Sequence, residues 1–431
     1  MRSKIKRKVF LLYGSDFSHH PLHRYFACRQ SYDFTNWLKG LTNIFSEVVS
    51  FNFVEAFVLH GTRAANCKIL EIAAKENPDY VFWPSMTFEI LESTLGTLQE
   101  TSKVVGFFFD DLARFESYSK YYISYIDYII TCDSRRSVGK YNEAGIDAQF
   151  MINGPSWSFF ENLDIDEYRT DIVFIGNKIA DREIFIHELQ RSGLDVAFYG
   201  DGWPNGRISS PKMIELINTS KINLSFTKTY DLSGSFQFKG RIFEVCMCGS
   251  FLLTEYIPGI EDYFKIGEEI ECFKTKEEMV EKVKYYLEHE KEREQIAAAG
   301  YEKVKKLYSL ESFFGHIFTN IENGVIKKNS LKDKKLIQNN NTINMNKADW
   351  YIRSAYGRLM IGKVDQCMEE LEIAKKYNPS DKRILAIERK INTCREKVKR
   401  IVNKNRDKLW KRIINKSKRI LYPYYKKCFK K

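Results

Sequence analysis

The sequence has no Cys-x-x-Cys pair, no apolar run near the roughly 18 residues of a membrane span, and almost no excess charge over its first 393 residues. Each absence excludes something. The nine cysteines stand at 28, 67, 132, 246, 248, 272, 367, 394 and 428; an odd, scattered set does not make a disulfide framework and fits a reducing compartment. The apolar run Val9–Tyr13, although preceded by Arg2, Lys4 and Lys6 to Lys8, is too short for a signal-peptide core. His19, His20 and His23 have no acidic or Cys partner at metal-site spacing, so no metal is expected. The formal charge is +12, but residues 394–431 alone hold 16 Lys/Arg against 2 Asp/Glu, a net +14, which leaves the rest at −2. A nucleic-acid-binding body is therefore not expected. The expectation is a cytoplasmic protein, peripheral at the inner face of the plasma membrane through its tail.

What is present is length and rhythm. The 431 residues, 44% of them apolar, suit two or three domains. Short apolar runs (8–13, 48–53, 80–83, 104–109, 128–132) alternate with amphipathic stretches (35–45, 63–75, 89–100, 137–144), the pattern of a parallel sheet covered on both faces. After Pro155–Trp157 the rhythm restarts, with strands expected at 171–175, 196–199, 222–226 and 251–254. The expected organisation is a Rossmann-like lobe over 1–165, a second over 166–323, a polar linker over 324–346, a helical hairpin over 347–393 and a basic amphipathic tail over 394–431. Within the hairpin Tyr351, Ala355, Gly362, Leu371, Ala374 and Pro379 fall at the spacing of one tetratricopeptide-like repeat, whereas Arg358 and Cys367 stand where that repeat favours an aromatic and an alanine.

The densest chemistry is FKGRIFE at 238–244, followed by Gly249 and FLLTE at 251–255. Two cations and a carboxylate gather at a predicted helix start, where free N–H groups already favour an anion. Lys239 as a point charge and Arg241 as a fork suit a diphosphate. Glu244, one turn past Arg241, suits ribose hydroxyls; the alternative is a surface Arg241–Glu244 ion pair worth little. Asp110 and Asp111 follow the strand 104–109 and are candidate cleft carboxylates, for acceptor contact or as a base; the alternative is a helix N-cap. Gly14–Asp16, after the first strand, could approach a ligand or form a plain turn. The loop 200–206 holds three glycines but is interrupted by Pro204, so it is no dinucleotide fingerprint.

In order along the chain, the strand ending at Gly176, Arg182 at the next helix start, Phe198–Gly200 with Gly202 and Trp203, Ser220–Leu224, the Lys-x-Arg-x-Phe-Glu segment and Pro258–Glu261 resemble the donor lobe of glycosyltransferases of the GT-B architecture. The group most similar is the one typified by spore-maturation-protein-like transferases. The resemblance spans about 130 residues, 171–306. It implies an α/β fold of two Rossmann-like lobes facing a cleft, with a helical C-terminal extension. It also implies a nucleotide-diphosphate-sugar bound as donor substrate rather than as a resident cofactor, at Gly176, Arg182, Gly200, Lys239, Arg241 and Glu244. The implied reaction is metal-independent hexosyl transfer to a glycan, lipid-linked or protein acceptor, with Asp110, Asp111, Lys239 and Arg241 as the catalytic set. Many relatives carry a second Glu eight positions before the first; here that position is Phe236. Its loss leaves open an inactive adaptor recruiting partners through hairpin and tail. A nucleotide-sugar epimerase of similar fold is a third reading. The tail has apolar residues at helical spacing from Val398 to Leu421, with Trp410 and Tyr422, and reads as docking to anionic lipid.

Overall fold

The computed structural model describes residues 4–13, 33–85, 88–109, 111–132, 135–152, 154–165, 167–179, 181–228, 238–329 and 341–404. Asp110, Gly14–Asp16, the His19–His23 cluster, Phe236 and residues 405–431 lie outside them.

Two parallel sheets succeed one another. The first comprises β1 (Ile5–Tyr13), β2 (Phe45–Asn52), β3 (Tyr80–Ser85), β4 (Lys103–Phe108), β5 (Tyr128–Thr131) and β6 (Ala148–Phe150), in the order β2-β1-β3-β4-β5-β6. The second comprises β7 (Thr170–Ile175), β8 (Val196–Tyr199), β9 (Ser220–Ser225), β10 (Leu252–Glu255) and β11 (Glu271–Phe273), in the order β11-β10-β9-β7-β8. Continuous apolar stretches such as VFLLY at 9–13 and IVFI at 172–175 are buried on both faces, as helix-covered parallel sheets require. Four apolar clusters result, two to each sheet.

In the second sheet the chain leaves β7 toward β8, then crosses back to place β9 on the other flank of β7. The carboxyl ends of β7 and β9 thus bound a topological switch point, the place where open α/β sheets hold ligands.

The connections between lobes run side by side. A Cβ at Gly154 would lie 1.7 Å from the Tyr308 carbonyl oxygen, so only glycine allows this contact. Leu310 N–H donates to the Pro155 carbonyl at 3.2 Å. Buried Glu311 accepts from Ser156 Oγ at 2.5 Å and Asn43 Nδ2 at 2.8 Å, which ties the crossing segment to the helix Asp33–Ile44. The helix Leu310–Glu322, expected with the second lobe, packs on the first: Leu310, Phe314 and Phe318 join Val9, Leu11 and Trp37 in one cluster.

The region 324–346 contains helix as well as linker, because the helix Asn341–Met360 begins inside it. That helix, with Val364–Tyr377, forms the expected hairpin, followed by a third helix, Lys382–Lys404. The hairpin buries its apolar face in the first lobe's own core. No helix among the described residues is long and apolar enough to cross a membrane.

Candidate functional site

The carboxyl edge of the second sheet brings together most of the residues singled out in the sequence. Gly176 follows β7; its N–H donates to the Tyr199 carbonyl at 2.8 Å and its carbonyl accepts from Trp203 Nε1 at 2.8 Å. Gly200, after β8, has φ 136° and a Cβ there would fall 2.3 Å from the Gly176 carbonyl oxygen. The two strand ends touch because residue 200 has no side chain.

Arg182 opens the helix Arg182–Arg191 but is only 6% exposed. Its Nη1 donates to the Asn177 carbonyl at 2.9 Å and its Nη2 to the Phe226 carbonyl at 3.3 Å, with the guanidinium 5.6 Å from the Phe174 ring centroid. Arg182 therefore braces the loop after β7 against the chain leaving β9, on either side of the switch point. It shapes the site from beneath.

Lys239 is the N-cap residue of the helix Gly240–Met247. Arg241 and Glu244 form the ion pair that their spacing allows, Nη1 to Oε2 at 2.8 Å, but not at the surface: the side chains are 18% and 6% exposed. Arg241 Nη1 also meets Met213 Sδ at 3.0 Å, and among the described residues Arg241 Nε is buried with no hydrogen-bond partner. Gly240 matters to this arrangement, since a Cβ there would lie 3.3 Å from Glu244 Oε1. The carboxylate thus lies across the positive end of its own helix. A helix start, a lysine, a half-buried arginine with an unmet donor and a buried carboxylate can bind an anionic group beside a hydroxyl-bearing one.

Cys246 and Cys248 pack inside this helix, where burial holds both thiols well above their usual range. They are core, not nucleophiles.

On the first lobe the picture differs. Asp111 is wholly buried and accepts from Tyr141 Oη at 2.8 Å and from Ser119 Oγ. Burial first, then the charge of Asp111, raises the Tyr141 phenol far above its normal range. In this state Asp111 fastens the π-helical turn Phe115–Ser119 to the helix Arg135–Glu143 and is closed to solvent, unlike the cleft carboxylate expected. Thr131, at the end of β5, is buried as well. Among the described residues no three His, Cys, Asp or Glu side chains gather as a metal site.

Sequence reasoning missed Lys228, Asp181 and Glu255, which meet at the same edge. Only the run FLLTE at 251–255 signalled one of them.

Residues 182–317 match the family described as "Glycosyl transferase-like". The matched residues run from the helix Arg182–Arg191 into the helix Leu310–Glu322. No curated protein matches the chain. Among solved structures, similarity is found to Anabaena Alr3699/HepE in complex with UDP and glucose, at 13% identity and TM-score 0.49, covering 74% of this chain and 100% of that one. A glycosyltransferase from Rickettsia africae matches at 12% identity and TM-score 0.47, over 74% and 98% of the two chains. A putative UDP-N-acetylglucosamine 2-epimerase from Listeria monocytogenes matches at 10% identity and TM-score 0.45, over 74% and 97%.

Proposed function

We propose that this protein transfers a hexosyl group, without a metal, from a nucleotide-diphosphate-sugar to a glycan, lipid-linked or protein acceptor in surface polysaccharide or glycoprotein synthesis. The observation that carries the reading is a coincidence of place. The glycosyl transferase-like match, residues 182–317, includes the helix start that gathers Lys239, Arg241 and Glu244 at the carboxyl edge of the second sheet.

In this reading Lys239 and the unmet Nε–H of Arg241 face the donor diphosphate and stabilise the charge that grows on it as the glycosyl bond breaks. Glu244, paired with Arg241, accepts from ribose hydroxyls. Gly176 and Gly200 let the two strand ends at this edge pack directly on each other. Asp110 is the remaining candidate for contact with the acceptor. Incubation with UDP-, GDP- and dTDP-hexoses should release nucleoside diphosphate from one of them; release from none, in a folded protein, favours the inactive adaptor that Phe236 suggests.

The tail belongs to the same reading. A net +14 over 394–431 suits docking on anionic lipid at roughly 1 kcal/mol per cation near the surface. Full-length protein should co-sediment with anionic vesicles, and less so as salt rises. Equal binding to neutral vesicles would end that part of the proposal.

A further inference from the structure

Three chain segments meet at the switch point through Lys228, Asp181 and Glu255, of which only Glu255 falls in a motif named above. Glu255 ends β10, is 4% exposed, and turns its carboxylate back onto the chain leaving β9. Its Oε2 accepts from Thr227 N–H at 2.9 Å, Thr227 Oγ1 at 3.2 Å and Lys228 N–H at 3.4 Å. Its Oε1 lies 3.4 Å from Lys228 Nζ. Asp181, just before the helix Arg182–Arg191, holds the same ammonium from the other side. The stem of Lys228 passes the Phe185 ring, with Nζ 5.7 Å from its centroid.

This cation differs from its neighbour Arg182. Arg182 is 6% exposed and donates to two backbone carbonyls, so turning it toward a ligand would unmake the loops it joins. The Lys228 side chain is 28% exposed. An ammonium has three N–H groups on a flexible stem, one more than the two carboxylates engage. Its place, three residues past the end of β9, is on the ligand-holding side of a parallel sheet.

We propose that Lys228 is a diphosphate-binding residue of the donor site, a third cation at the same sheet edge as the helix start of Lys239 and Arg241, and that Asp181 and Glu255 position it. The assignment rests on the nucleotide-sugar reading and adds to it a residue and its two supports. Asp181 and Glu255 keep the ammonium in one place before the donor arrives, so less side-chain freedom is lost on binding.

The test uses inorganic pyrophosphate titrated calorimetrically into the full-length protein. Wild type is expected to bind. Lys228→Gln should weaken binding at least tenfold, and Lys228→Arg should restore it to within a few-fold, which loss of a merely structural contact would not predict. Lys228→Gln leaves two carboxylates close together, so the companion Lys228→Gln/Asp181→Asn keeps the test valid if the single variant folds poorly; the same loss is expected. Lys178→Gln, which removes a surface cation paired with Glu183, should bind as wild type does. Unchanged binding in either Lys228→Gln variant overturns this inference alone. No binding by wild type overturns it together with the nucleotide-sugar reading.

Discussion

Replacing Arg358 by Met is expected to destabilise the protein by about 3–5 kcal/mol, the usual effect of stranding one member of a buried ion pair. Arg358 lies in the first helix of the hairpin with no exposed surface. Its Nε donates to Glu370 Oε1 at 3.1 Å, its Nη1 reaches Gln366 Oε1 at 2.9 Å, and its Nη groups also donate to the carbonyls of Phe57 and Val58. Those carbonyls belong to the last turn of the helix Phe53–His60, where the Gly61 N–H also reaches the Phe57 carbonyl at 2.9 Å. Glu369 does the converse service, accepting the Arg63 N–H at 2.8 Å at the start of the next helix. Buried Lys347 meets Glu92 at 2.7 Å, with the Tyr121 and Tyr377 ring centroids at 4.0 and 4.5 Å. The hairpin therefore completes the first lobe, and urea unfolding of Arg358→Met should show lobe and hairpin lost together at lower denaturant. A separate, early hairpin transition with an unaltered lobe would contradict this.

A pH dependence follows from the same pair. Burial pushes the Glu370 carboxyl up to about 7, against the opposing pull of Arg358. The folded protein then holds more protons than the unfolded chain between roughly pH 4.5 and 7, so this contribution to stability falls as pH rises through that window. Glu370 also accepts from Ser354 Oγ, and Glu370→Gln, which keeps an acceptor for that hydroxyl, should remove the slope.

Much of the architecture was legible because parallel strands buried on both faces read as unbroken apolar runs. The restart after Trp157 separated the lobes for the same reason. Three-residue strands such as β6 and β11 give no such run. The helix Leu310–Glu322 has an ordinary amphipathic pattern, and nothing in it states which lobe its Phe313, Phe314 and Phe318 will face. At the site, Lys239, Arg241 and Glu244 were legible because three charges within six residues at a helix start are rare. Asp111 and Arg182 looked like contact groups, yet both are buried and hold backbone or side chains in place, a difference set by tertiary burial that sequence spacing does not encode. Arg358 and Cys367 looked like departures from a repeat pattern; both are fully buried, one as the hairpin's ion-pair anchor and one as packing. Lys228, Asp181 and Glu255 come from three segments, each pair 27 or more residues apart, and only the fold joins them.

The second large effect concerns Arg241 and Glu244. Arg241→Met alone should cost about 3–5 kcal/mol, because it leaves the Glu244 carboxylate buried without its partner. Arg241→Met/Glu244→Gln removes both charges at similar volume, and should recover most of that loss without recovering a donor site. This makes the double variant the right companion for the central measurement, a thermal-shift series with UDP-, GDP-, CMP- and dTDP-sugars. A donor present at 100 times its Kd should stabilise the wild type by about 2.7 kcal/mol. The account predicts such a shift with one nucleotide class in the wild type and none in the folded double variant. A wild type that no donor stabilises, or a double variant stabilised as much as wild type, would contradict it.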